Sequence, residues 1–160
     1  MQPAQVYVAT LGNSEMSEAI AEEEGIELSS LCGKRECFLF QVLKNGSLLI
    51  AGSDKRGTIY GLFHISELMG VSPFVHFADV VPAPQKEIIF SEKDSMQSKE
   101  PSVKYRGFFI NDEWPAFGNW TFSHYGGFTA EMYDLIFETL LRLKGNYLWP
   151  AMWTSSFSLD

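Results

Sequence analysis

Asn111-Asp112-Glu113 sets an amide and two carboxylates in a row at the polar end of the segment from Val103 to Ile110. An amide and a carboxylate at a strand tip can hydrogen-bond sugar hydroxyls or hold a catalytic water. The same carboxylates can instead cap a turn or pair with Lys104, and residue types alone leave both uses open. Trp149-Pro150-Ala151-Met152-Trp153 brings two tryptophans four residues apart at the end of a second apolar run. An exposed indole face suits the apolar C–H face of a sugar ring, whereas a buried one fills a core. Trp114, Trp120 and Tyr125 lie between the two segments and could wall a sugar cleft. Arg106 opens the first run. Its planar fork could grip a hydroxyl or a carboxylate, or it could be a surface residue near a domain junction.

Other chemistries find less support. Lys55-Arg56 precedes a helical pattern, and a basic pair at a helix start could bind an anion. The surrounding Gly52-Ser53-Asp54-Lys55-Arg56-Gly57-Thr58 lacks the spacing of a phosphate-binding loop, so nucleotide binding is rejected. His64, His76 and His124 are too scattered to form a ligand set, and Cys32 with Cys37 is a poor zinc signal, so no metal is expected. The two thiols read as ordinary and reduced. No nucleophile elbow of the G-x-S-x-G type occurs.

The elements that would position these residues follow from periodicity. Val6–Thr10 reads as a strand, Glu15–Glu24 as an acidic helix ended by Gly25, and Glu36–Val42 as a second strand. Lys44-Asn45-Gly46-Ser47 predicts a hairpin with a tight type I′ turn leading into a third strand, Ser47–Gly52. Gly57–Gly70 predicts a helix with Ile59, Leu62, Phe63, Ser66 and Met69 near one face and Ser53 or Asp54 at its N-cap. The prolines at 82, 84 and 101 and the polar stretch 91–100 predict a linker, bounding a first domain at 1–95, a linker at 96–102 and a second domain at 103–160. In the second domain, a strand over 103–112, a Trp-, Gly- and Pro-rich loop over 113–127, a helix over 129–144 and a strand from Asn146 form one β-loop-α-β unit. A right-handed crossover of that kind implies parallel strands.

Composition narrows the partners. A formal charge of -8 argues against nucleic acid and against an anionic membrane surface. The chain has no apolar run of 18 residues, so no spanning helix is expected, and its first residues lack the pattern of a signal peptide.

Four blocks in one order, Ala51–Gly61, Gly70–Pro73, Lys104–Glu113 and Leu141–Trp153, resemble glycoside hydrolase family 115. The resemblance implies an α/β fold: a small domain like that preceding the barrel in β-hexosaminidases, then the first β-α-β unit of an incomplete (β/α)₈ barrel. It implies an inverting α-glucuronidase that removes glucuronic acid or its 4-O-methyl ether from xylan without metal or cofactor. Its partner would be a glucuronoxylan-type polysaccharide or oligosaccharide, its setting extracellular or periplasmic, and its full-length form a homodimer. By the same resemblance Asp112 is a pocket carboxylate with a catalytic role, while Asn111, Trp149 and Trp153 bind substrate; Glu113 is expected to join them from its place at the strand tip, and Arg106 by analogy with the hexosaminidase barrels. A (β/α)₈ barrel takes roughly 200 residues or more, so residues 103–160 would supply only its beginning. The expectation is a fragment inactive by itself, and the alternative is a non-catalytic carbohydrate-binding or inert remnant.

Overall fold

The computed structural model describes residues 4–13, 15–79, 81–111, 114–153 and 155–159, the side chains of Met16, Ser17 and Leu159 excepted. The chain forms two compact units, one of Met1–Ser72 with Pro82–Ser102 and one of Pro73–Val81 with Val103–Asp160.

The first unit is a four-stranded mixed sheet in the order β1-β3-β2-β4 with two helices. β1 (Val6–Thr10) runs parallel to β3 (Leu48–Gly52), which pairs antiparallel with β2 (Phe38–Val42). The β2–β3 hairpin forms as expected, but its turn is of another kind. The amide of Gly46 donates to the Leu43 carbonyl, that of Leu43 donates to Ser47, and within the loop only Gly46 has positive φ, +81°. That pattern is an ordinary turn closed by a glycine bulge rather than a type I′ turn, which needs two left-handed residues.

Residues read as linker supply the fourth strand. β4 (Met96–Gln97) pairs with Phe40 and Leu39 of β2. The hydroxyls of Ser98 and Ser95 accept the flanking amides of Phe38 and Val42 at 2.8 and 2.9 Å. A polar segment can thus complete an edge because side-chain oxygens substitute for ladder carbonyls.

α1 (Glu15–Glu24) and α2 (Lys55–Leu68) accompany the sheet. Asp54 caps α2, its carboxylate accepting the Gly57 amide at 2.8 Å. The buried face of α2 is Gly57, Thr58, Tyr60 and Gly61; Leu62 and Met69 are exposed, which corrects the expected face. A Cβ on Gly57 would lie 2.1 Å from the Cys37 carbonyl oxygen, and one on Gly61 would lie 2.6 Å from Ile50. The two glycines therefore let the helix settle directly on β2 and β3.

The second unit is built on β5 (Gly107–Phe109) and β6 (Tyr147–Trp149), paired in parallel with Phe108 opposite Leu148. Between them lie α3 (Ala116–Tyr125), where a loop was expected, and α4 (Ala130–Arg142). α3 ends on Gly126, left-handed at φ +76°, and its Gly118 seats the Trp114 indole: a Cβ there would come within 2.9 Å of the ring. α4 is capped by Thr129, whose hydroxyl accepts the Met132 amide. It carries Glu131 in its first turn and Arg142 in its last, as the helix dipole favours. Its left-handed terminal residue is Lys144, φ +58°, not Gly145. Gly145 is needed for space, since a Cβ would meet Leu140 at 2.4 Å and the Arg106 carbonyl at 3.1 Å.

The core of this unit joins Ile110, Phe128, Met132, Tyr133, Ile136 and Ala151, with Phe108, Leu148, Phe117, Trp120 and Phe77 packed on it. Phe77 comes from the Pro73–Val81 segment and meets the Trp120 ring at 5.3 Å. In the same segment His76 bonds Glu138 of α4 at 3.2 Å.

Candidate functional site

Strand alternation divides the β5–β6 pair into two faces. Phe108 and Leu148 turn toward the helices. Phe109 and Trp149 project from the other face and meet edge-on, ring centroids 5.5 Å apart. Gly107 must lack a side chain, because a Cβ there would stand 1.6 Å from the Tyr147 carbonyl oxygen.

At the C-terminal ends of both strands Phe109, Asn111, Trp149, Met152 and Trp153 line a depression of about 390 Å³. Asn111, Trp149 and Trp153, singled out from the sequence, thus share one site. Phe109 and Met152 are additions. Phe109 was within reach, since it lies two residues before Asn111 and alternation puts the pair on one face. Met152 was not, because the alternation breaks at Pro150: Ala151, not its neighbour, is buried with the helices.

Among the described residues the lining is mostly apolar, and Asn111 adds an amide. The Oδ1 atom of Asn111 is buried and has no hydrogen-bond partner among the described residues. A buried acceptor left unpaired costs about 1–3 kcal/mol. Trp149 and Trp153 remain 51% and 74% exposed, enough to present ring faces to a ligand. The Trp149 indole N–H is directed to the Met152 sulfur at 3.4 Å. No charged side chain lines the depression among the described residues. Asp112 and Glu113 lie outside the described residues.

Arg106, expected by analogy to bind substrate, does not line this depression. It precedes β5, at the opposite end of the strand from Asn111. Its guanidinium donates to the carbonyl of Lys144 at 2.9 and 3.1 Å and to those of Val103 and Lys104. Together with Asn146, which accepts the Arg106 amide and donates to Lys104, it ties the segment entering β5 to the segment entering β6. Trp120 and Tyr125 pack on the core of the unit rather than on the depression. His76, Glu138 and Arg142 form an ion-pair group within the unit. Among the described residues no group of three or more His, Cys, Asp or Glu could hold a metal ion.

Residues 98–160 match the model of glycosyl hydrolase family 115. The chain is also similar to the solved structure of BtGH115A, a family GH115 4-O-methyl-α-glucuronidase with specificity for decorated arabinogalactans. The two share 38% identity with a TM-score of 0.78, over 92% of this chain.

The chain belongs to glycosyl hydrolase family 115.

The alignment covers 20% of the BtGH115A chain, so this family 115 chain spans about one fifth of that relative's length. No curated protein matches it. The likeness extends to the mixed α/β architecture of the family 115 neighbour. The depression lies within the segment that the family model matches.

Proposed function

We propose that this chain supplies part of the sugar-binding face of a family 115 α-glucuronidase, with (4-O-methyl)glucuronic acid on a xylan-type polysaccharide as its ligand. One observation carries the reading: two exposed tryptophans and the Asn111 side chain converge at the C-terminal ends of adjacent parallel strands. That end of a parallel sheet is where (β/α)₈ enzymes build their sites, and β5-α3-α4-β6 is read as the first unit of such a barrel. Trp149 and Trp153 would take the C–H face of the sugar, and the Asn111 amide would hydrogen-bond one of its hydroxyls. With no cation on the lining among the described residues, these residues would address the neutral ring rather than the uronate charge. The family likeness supports a glycoside substrate, since BtGH115A acts on a decorated polysaccharide. A polymer of that size is met outside the cytoplasm, which favours an extracellular or periplasmic setting.

Hydrolysis with inversion needs one carboxyl to protonate the leaving oxygen. A second, about 6.5–9.5 Å away, must take a proton from the water that attacks the anomeric carbon. Asp112 is assigned as a pocket carboxylate and Glu113 as its neighbour in binding. This pair of adjacent residues does not by itself make two opposed carboxyls, so the 160-residue chain alone is expected to bind without turnover.

The test is a titration of the chain with a xylo-oligosaccharide bearing one 4-O-methylglucuronic acid, followed by tryptophan emission. Saturable binding is expected. It should weaken at least about tenfold in Trp149→Ala and in Asn111→Ala, and be absent with the unsubstituted oligosaccharide. No binding, or equal binding of both oligosaccharides, would overturn the ligand assignment. Release of free uronic acid by the chain would overturn the expectation of binding without turnover.

A further inference from the structure

We propose that Tyr133 of α4 is a positioning residue for the depression, setting the backbone turn that brings Met152 into it beside Trp149 and Trp153. In an uninterrupted strand, Trp149, Ala151 and Trp153 would share one face and Met152 would point away. Instead the chain shifts register after Trp149. Ala151 turns inward, 1% exposed, and Met152 joins both tryptophans on the lining. Such a shift frees a backbone amide from the ladder, and a buried unpaired amide is costly. The Ala151 amide is recovered by the Tyr133 hydroxyl, to which it donates at 3.1 Å in a fully buried setting. Tyr133 is itself 2% exposed, its ring set edge-on to Phe157 at 4.9 Å and against Phe137 at 6.1 Å. The hydroxyl is therefore a fixed post on a well-packed helix, and the turn hangs from it.

The inference rests on the sugar-pocket reading for its consequence in binding, but not for its structural content. Three measurements on the full chain test it. In the wild type, the Ala151 amide should exchange slowly with solvent; exchange at the rate of an exposed amide would overturn the proposal. Tyr133→Phe removes one oxygen, and it should alter the near-UV circular dichroism contributed by Trp149, identified by its loss in Trp149→Phe. It should also weaken binding of the 4-O-methylglucuronic-acid-substituted xylo-oligosaccharide about tenfold. Ile136→Val, a small truncation in the same core, should lower the melting temperature while leaving spectrum and affinity unchanged. If Tyr133→Phe behaves like Ile136→Val, Tyr133 is only a core residue and the proposal fails. If the wild type binds no such sugar, the ligand assignment fails, and the exchange and spectral measurements still decide the role of Tyr133.

Discussion

The indole N–H of Trp149 donates to the Met152 sulfur 3.4 Å away, joining the end of β6 to the turn that follows it. A thioether is a weak acceptor, but this one fixes which edge of a half-exposed indole faces the ligand. Met152→Leu keeps the bulk and removes the acceptor. It should red-shift the Trp149 contribution to the emission spectrum as the N–H turns to water, and weaken sugar binding a few-fold, by about 0.5–1 kcal/mol. An unchanged spectrum after subtraction of the Trp149→Phe variant would show the contact to be incidental.

Gly107→Ala should be among the most damaging single changes in the second unit. Its Cβ would stand 1.6 Å from the Tyr147 carbonyl oxygen, and that atom belongs to the backbone of the paired strand. Relief requires β5 and β6 to separate. The expected cost is about 3 kcal/mol or more, well above the fraction of a kcal/mol by which removing a glycine ordinarily stabilises a chain. Chemical denaturation of the two proteins would measure it, and a loss under about 1 kcal/mol would contradict the close approach.

Glu138 makes the second unit sensitive to acid. Burial pushes its carboxyl up, but hydrogen bonds from Arg142 and His76, with the charges of both, outweigh this and hold it below its ordinary value of 4.5. A carboxyl whose folded pKa is depressed contributes stability that is complete above the unfolded value. That contribution fades as pH falls through the lower folded one. Melting temperature should therefore drop below about pH 4.5 more steeply in the wild type than in Glu138→Gln. Parallel curves would remove Glu138 from the account.

The two thiols should separate in reactivity. Cys32 is exposed, whereas Cys37 is fully enclosed and its thiol is pushed up chiefly by burial. Thiolate is the reactive form, so a short exposure to iodoacetamide near neutral pH should label Cys32 and spare Cys37. Labelling of both becomes complete only in denaturant. Mass spectrometry distinguishes the outcomes, and equal native labelling would contradict the packing of β2 beneath α2.

Much of this arrangement was legible because side-chain type and period agreed. The parallel β5–β6 pair follows from two apolar runs separated by a helical pattern, and Asn111, Trp149 and Trp153 stand where polar and aromatic residues follow those runs. Four features were hidden for distinct physical reasons. The buried face of α2 carries Gly57 and Gly61, which hydrophobic periodicity cannot weigh although they let the helix settle on the sheet. α3 is written in Pro115, Gly118 and aromatic residues, which resemble a loop until the fit of Trp114 on Gly118 is seen. β4 is polar because Ser95 and Ser98 serve the sheet through their hydroxyls. The inward step at Ala151, which brings Met152 to the site, depends on a hydroxyl eighteen residues earlier, and no local pattern announces it.

The Pro73–Val81 segment gives the molecule an interlaced thread: the chain passes between its units at 72/73, 81/82 and 102/103. No single scission can therefore part them cleanly. A cut after Ser102 would strand Phe77 and His76 away from the Trp120 ring and the Glu138 carboxylate they serve. The same weave orders events during translation. Phe77 leaves the ribosome a few seconds before Trp120, at about 5–20 residues per second, and must wait unhoused while β4 of the other unit is still to be made.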